Sequence, residues 1–381
     1  MISYESLVPF GNVDDGVLYI TDSFSVECTE HDHNDCTLVS ALSAYKGDSA
    51  PKIQYILSVP DVEKPAYMSH KYSMGKKESC AIQKWRVPPL FLPEMSMTLR
   101  IEIPEGTVLM IRSFEATRET TPIKTCGKYR FNAHLGFLAI APNNTLLAFE
   151  MAAKCGFSSC MAAPNVTRDG VLVCIHDDTI NKTARDANGE PPKDPIYVRD
   201  KTYEELLKWE YGSYRSPVYR GAKLPLLSEF FDICQKTGMN PIFSTHPSLT
   251  VEQWNQVKKM LEERNILAQF HIKSFDAEIL KTAYSVFGTE IDGYTLDVKK
   301  WDKSCIDALL STGVDVSRCR VGMEVRFDDY TEQIAKDILN AGMFAAAWDI
   351  ERRDFSEYDR LFSYGVTEFT EDNHCSMGLY C

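Results

Sequence analysis

No stretch of this 381-residue chain holds about 18 consecutive apolar residues, which excludes a helix that spans a bilayer. Positive charge is also in short supply. Against 54 Asp and Glu there are 41 Lys and Arg, a formal net charge of −13, so no general basic field attracts nucleic acid or an anionic membrane surface. An anionic ligand must be caught by local groups, of which His134, His176, His246 and backbone amides at strand exits are the candidates. A disulfide framework is missing as well, because the 12 cysteines are scattered without close-set spacing. The start, Met1-Ile2-Ser3-Tyr4-Glu5-Ser6, has no basic segment leading into an apolar one. The expectation is therefore a cytoplasmic protein with reduced thiols, or a secreted one if a leader was removed. Internal repeats and low-complexity segments are absent too.

The chain is long enough for a barrel of about 250 residues and one more domain. Its 44% hydrophobic content is enough for both to bury a core. Residues 1–125 read as the additional domain. The runs Val17 to Cys28, Lys52 to Val59, Cys80 to Val87, Met97 to Ile103 and Thr107 to Phe114 are short, alternating and separated by turn residues, which predicts an antiparallel β-sandwich of jelly-roll type. Pro104-Glu105-Gly106 reads as a hairpin turn, and Thr117 to Lys128, polar and carrying Pro122, as the linker. Cys28-Thr29-Glu30-His31-Asp32-His33-Asn34-Asp35-Cys36 has the residue types of a Zn²⁺ site but the spacing of no finger, so a polar loop is the reading adopted. Tyr67, Tyr72, Trp85 and Phe91 could line a sugar site but are read as core or interface; a protein or glycan partner of this domain stays open.

Residues 126–381 alternate strand and helix, as a (β/α)8 TIM barrel requires. Phe131 to Gly136 and Val171 to Asp178 read as the exits of consecutive barrel strands, each carrying a histidine, His134 and His176. Between them, Asn144 or Thr145 offers a helix N-cap, Leu147, Ala148, Met151 and Ala152 recur at helical spacing, and Gly156 is a stop signal. Asp169-Gly170 is a tight turn ahead of an apolar run rich in Val. Downstream, Tyr203 to Trp209, Val251 to Arg264 and Ala277 to Tyr284 read as helices, and Ile291 to Leu296, Arg320 to Val325 and Phe344 to Trp348 as strands. Barrel enzymes place their chemistry at the carboxyl ends of strands. His134, His176, His246, Lys273 and Trp348 all fall at such ends, and two imidazoles on one rim suit proton transfer on both sides of a scissile bond.

In this region the chain resembles the glycerophosphodiester phosphodiesterase family, over roughly residues 130 to 376. The match begins at His134, passes through Pro142-Asn143-Asn144-Thr145 and Asp169-Gly170, and continues at His176-Asp177-Asp178-Thr179-Ile180-Asn181-Lys182-Thr183. Leu224-Pro225-Leu226-Leu227-Ser228-Glu229, Ser274-Phe275, Ala347-Trp348-Asp349-Ile350 and Gly365 to Asp372 follow in the family's order. The resemblance implies a phosphoric diester hydrolase in which one of His134 and His176 acts as base on a hydroxyl or water while the other protonates the departing alcohol. It implies that His246 and Lys273 lie on the phosphate side, that Trp348 walls the pocket and that Asp177 orients a neighbour.

Departures from the family pattern centre on its metal. The three carboxylates that bind a divalent cation in the family fall on Met161, Ala163 and Ser244, and its arginine and glutamate pair falls on Leu135 and Asn143. Hard cations need several oxygen ligands, so no metal cofactor is expected, with Ca²⁺ or Mg²⁺ entering only if the carboxylates align elsewhere. Three readings follow: a hydrolase of small phosphodiesters built on the histidine pair, a barrel that binds a phosphodiester or polyol headgroup without cleaving it, and a carbohydrate-binding or assembly protein acting through its sandwich.

Overall fold

The computed structural model describes residues 2–28, 36–59, 67–69, 71–91, 95–119, 129–245, 249–348 and 355–371. Eight parallel strands close into a barrel: β1 (Arg130–Ala133), β2 (Ser159–Ala162), β3 (Asn240–Ser244), β4 (His271–Ser274), β5 (Gly293–Val298), β6 (Arg320–Arg326), β7 (Phe344–Trp348) and β8 (Glu368–Glu371), with β8 returning to pair with β1. The connecting helices are α1 (Leu146–Lys154), α2 (Leu227–Thr237), α3 (Val251–Glu263), α4 (Ala277–Phe287), α5 (Ser304–Leu310), α6 (Glu332–Asn340) and α7 (Phe355–Tyr364).

Alternation along each strand sorts side chains between helices and barrel interior. Phe243 of β3 stacks on Phe231 of α2 and tilts against Trp254 of α3. Tyr294 of β5 meets Tyr284 of α4, and Phe369 of β8 meets Phe362 of α7. The alternate residues point inward and are strongly polar. At the amino-terminal end, Asp292 accepts from Arg130 at 2.8 Å, His271 at 3.0 Å and Arg320 at 3.0 Å. Higher in the barrel, Lys273 of β4 donates to Glu324 of β6 at 2.5 Å and to Thr370 of β8 at 2.8 Å. These three come from alternate strands, the way side-chain layers are built in barrels of this kind.

The expectation that Val171 to Asp178 leaves a barrel strand is corrected by the structure. The second barrel strand is β2, and the chain then runs on as Pro164–Val166, turns at Asp169-Gly170 and returns antiparallel as Leu172–Cys174 in a two-stranded sheet outside the barrel. An apolar run is buried in either setting, so its composition does not reveal its partner. Here the partner is the small core of a segment inserted between β2 and α2, where Val173, Ile175, Ile180, Ala184, Val198, Leu206, Tyr211 and Leu224 pack together.

The strands among the described residues up to Glu119 form two largely antiparallel sheets. Val108–Glu119 joins Val17–Ile20 to Cys36–Lys46 in one sheet, with Ala81–Val87 at its side; Ser96–Glu102 joins Phe24–Cys28 to Lys52–Ser58 in the other. Two expectations need correcting. The run Val17 to Cys28 is two strands in different sheets, and Pro104-Glu105-Gly106 carries the chain from one sheet to the other rather than closing a hairpin. Cys36–Lys46, at 11 residues one of the longest strands, had no strong alternation to announce it. Trp85 and Tyr72 are buried core, and Phe91 stacks on Tyr219 of the barrel insert, which answers the sugar-site alternative for these three. Thr29 to Asp35, the body of the Cys and His cluster, lie outside the described residues, as does the linker beyond Glu119.

Candidate functional site

The site begins where β1 ends. His134 follows Ala133 directly and is half-buried. The chain then turns sharply through Leu135 (φ +50°) and Gly136 (φ +84°), and Asn144 (φ +51°) closes the loop. Left-handed backbone costs a leucine roughly 1–2 kcal/mol, and here it is braced from three sides. Asn144 N donates to Leu135 O at 2.9 Å, Gly136 N to Met161 O at 3.1 Å, and Ala163 N to the Asn144 side chain at 3.0 Å. Gly136 is required by space as well as angle, because a Cβ there would stand 2.5 Å from that of Ala148 in α1. Thr145, not Asn144, caps α1 by accepting from Ala148 N at 3.3 Å.

Leu135, Met161, Ala163 and Ile242 pack on one another as a separate buried apolar cluster. It occupies the positions to which the resemblance assigns an arginine and two carboxylates. A thioether, a methyl group and, at the end of β3, the Ser244 hydroxyl do not fit a hard divalent cation. Among the described residues no group of three or more His, Cys, Asp or Glu is arranged to hold a metal ion.

His176 stands on the hairpin, not on a barrel strand, and is 48% exposed. Its Nδ1 lies 2.7 Å from Asp177 Oδ1. A carboxylate only accepts, so this nitrogen carries the proton and Nε2 of the neutral ring is left as the acceptor. Asp177 is in turn steadied by Lys182, 4.0 Å away, and its carbonyl accepts from Asn165 Nδ2 at 3.4 Å.

The inserted segment ties this hairpin to the His134 loop. Arg215 donates to the carbonyls of Leu138 and Ala139, and Tyr219 donates to that of Ile140. Tyr214 accepts from Asn143 N at 3.1 Å. Glu210 holds the stapling loop in shape by accepting from Gly212 N at 3.0 Å and Ser213 N at 3.1 Å. Burial pushes the Tyr219 phenol up to about 12, so it remains a donor. None of Tyr214, Arg215 and Arg185 was singled out by the sequence. The aromatic stretch from Tyr211 to Tyr219 was the only trace of the first two, and it reads equally well as core.

Other expected residues are placed unequally. Lys273 faces into the barrel and is wholly buried, ion-paired with Glu324 rather than turned to the rim. Burial works against its charge, and Glu324 and Asp297 more than compensate, so the ammonium titrates above its ordinary value. Asp297 behaves oppositely: burial and the Glu324 charge raise it well above the carboxylate range. Trp348 ends β7, donates to Val298 O at 3.4 Å and meets Phe275 edge-on at 5.9 Å. A groove of about 500 Å³ opens beside them, lined by Phe275, Ala277, Val298, Lys299 and Ala308 among others. His246 lies outside the described residues.

Residues 134–370 match the glycerophosphoryl diester phosphodiesterase family. The chain is 35% identical over 101 residues to a glycerophosphodiester phosphodiesterase of Caldanaerobacter subterraneus, covering 26% of this chain and 38% of that protein. It is 28% identical over 148 residues to one of Bacillus altitudinis, covering 36% and 57%. The match thus spans about half the length of these relatives. Among solved structures, an Oleispira antarctica phosphodiesterase in complex with the product sn-glycerol 3-phosphate superposes with a TM-score of 0.55 at 20% identity, over 65% of this chain and 94% of that one. At that identity the likeness is one of fold.

Proposed function

This chain belongs to the glycerophosphoryl diester phosphodiesterase family, and from that membership we propose that it hydrolyses small glycerophosphodiesters with a histidine pair and no protein-bound metal. The observation that carries the reading is His176, its Nδ1 held by Asp177 at 2.7 Å, on an insert stapled to the loop that bears His134. His176 Nε2 removes a proton from the attacking water or glycerol hydroxyl as the new oxygen–phosphorus bond forms. His134, protonated, delivers its proton to the alcohol oxygen as the old bond breaks. The two exchange protonation states in one turnover, so protons balance. Met161, Ala163 and Ser244 offer a hard cation too few oxygen ligands, and the roughly 4 kcal/mol that such a cation supplies to developing charge corresponds to about a thousandfold in rate. A slow enzyme is expected.

The apolar cluster of Leu135, Met161, Ala163 and Ile242 favours a second reading, a barrel that binds the headgroup without cleaving it. The test is hydrolysis of a glycerophosphodiester and a chromogenic phosphodiester with Ca²⁺ or Mg²⁺ and then with EDTA, native chain against His176→Ala. Turnover that persists in EDTA and vanishes in the variant supports the hydrolase. No turnover under any condition, with binding of sn-glycerol 3-phosphate retained, selects the second reading.

A further inference from the structure

Two neighbouring side chains of the insert, Arg185 and Tyr214, carry donors that no described residue accepts from. Arg185 is held by its Nη1, which donates to the carbonyls of Ala184 at 2.7 Å, Lys182 at 3.3 Å and Asn181 at 3.5 Å. Its backbone is fixed too, exchanging hydrogen bonds with Glu210 at 2.8 and 3.0 Å. Nη2 has no acceptor, and the guanidinium makes no ion pair, among the described residues. Its central carbon lies 5.9 Å from the centre of the Tyr214 ring. The Tyr214 oxygen accepts from Asn143 N at 3.1 Å, yet its own proton has no acceptor among the described residues. Burial raises the phenol above its ordinary value, so it keeps that proton at neutral pH, and Asp177 is close enough to add to the effect. Tyr214 therefore touches the His134 loop through Asn143 and lies within electrostatic reach of the carboxylate that orients His176.

Arg185 is half-buried and anchored by backbone carbonyls through Nη1 alone, so its Nη2 can take an anion without an ion pair being broken first. A guanidinium over the Tyr214 ring and the phenolic O–H of that ring are both donors suited to the oxygens of a phosphoryl group. We infer that Arg185 and Tyr214 form an anion cradle that binds the non-bridging oxygens of the substrate phosphoryl group beside His176. The cradle supplies from the insert the positive charge that a barrel with Met161, Ala163 and Ser244 at these positions is not built to recruit as a hard cation. The inference rests on the phosphodiester reading above, and it adds to that reading the groups that hold the phosphate.

The experiment is calorimetric titration of the full chain with sn-glycerol 3-phosphate and with inorganic phosphate, comparing the native protein with Arg185→Gln and Tyr214→Phe, and checking each fold by its melting temperature. Tyr214→Phe keeps the ring under the guanidinium and removes only the hydroxyl, so it remains informative if Arg185→Gln folds poorly. Each substitution is expected to weaken binding by about tenfold or more, the worth of a charge-assisted hydrogen bond. Equal affinity in all three proteins overturns the cradle, even if the native chain hydrolyses phosphodiesters. Weakened binding in the variants of a chain that shows no turnover keeps the cradle and removes the hydrolase reading. A native chain that binds neither probe overturns the cradle directly.

Discussion

At Leu135 a side chain and a backbone make opposite demands. The left-handed turn after β1 (φ +50°) suits glycine or asparagine, yet the side chain is only 4% exposed against Met161, Ala163 and Ile242. Leu135→Ala should cost about 2–3 kcal/mol by removing buried methyl groups. Leu135→Gly should cost no more than that, because relief of roughly 1–2 kcal/mol of left-handed strain offsets the usual penalty of glycine against alanine. Urea denaturation of the two variants decides it; a glycine variant less stable than the alanine one by the ordinary margin would falsify the strained geometry. That a residue there would be unusual was legible in the sequence, where Leu135 stands in place of the family's arginine. That its burial is shared with Met161 was not, since the two meet only because β1 and β2 are neighbours.

Elements were legible where one local pattern had one structural meaning. Phe344 to Trp348 and the helix from Val251 emerged as expected, because a short apolar run beside a glycine and an amphipathic stretch behind a capping Thr250 specify themselves. Val171 to Ile175 did not, nor did Pro104-Glu105-Gly106, since a turn fixes local direction but leaves the pairing partner to the rest of the chain. Helix α1 shows how one element leans on a distant one. Its last carbonyls have no partner within the helix and lie at the negative end of the helix dipole. They are met from the sandwich by Arg86, donating to Cys155 O at 3.2 Å, and by the Cys36 thiol, donating to Lys154 O at 3.3 Å. Arg86→Ala should therefore destabilise the barrel by about 2 kcal/mol although it lies 69 residues away in sequence, the loss of a charge-assisted bond and of a buried stem. Near-ultraviolet circular dichroism through a denaturant titration measures this, and an unchanged barrel transition would show that the sandwich does not hold α1.

For the whole molecule, the polar barrel interior makes stability a function of pH with two opposing parts. Burial works against ionisation of Asp292, but His271 and Arg130 outweigh it and hold the carboxyl well below the usual range. Lys273 does the same for Glu324 against its own burial. Both contribute stability that is complete above the unfolded carboxyl value of about 4 and is lost as pH falls through the folded one. Asp297, raised by burial and by Glu324, has the reverse sign. The folded chain retains a proton that the unfolded chain releases above about pH 4, so folding is penalised increasingly as pH rises toward the folded value. Asp297→Asn keeps the shape, faces the same Glu324 and Lys273, and cannot ionise in either state. Its melting temperature relative to the native chain should rise between about pH 5 and about pH 8. A difference that stays constant across that range would rule out a protonated Asp297.

What the sequence determined by itself was whatever depends on near neighbours: the alternation of strand and helix, the β-rich first 119 residues, and His134 at a strand exit with Gly136 behind it. The order of its motifs also determined the family, because that order survives whatever the motifs touch. Tertiary structure alone decided that His176 rides on a hairpin rather than a barrel strand and that Tyr214 and Arg215 staple its insert to the first loop. It also decided that Lys273 turns inward, to partners 51 and 97 residues away. The reason is physical. Periodicity tells a side chain whether to be buried, but only closure of the barrel, which brings β4, β6 and β8 around one axis, determines which charge it is buried against.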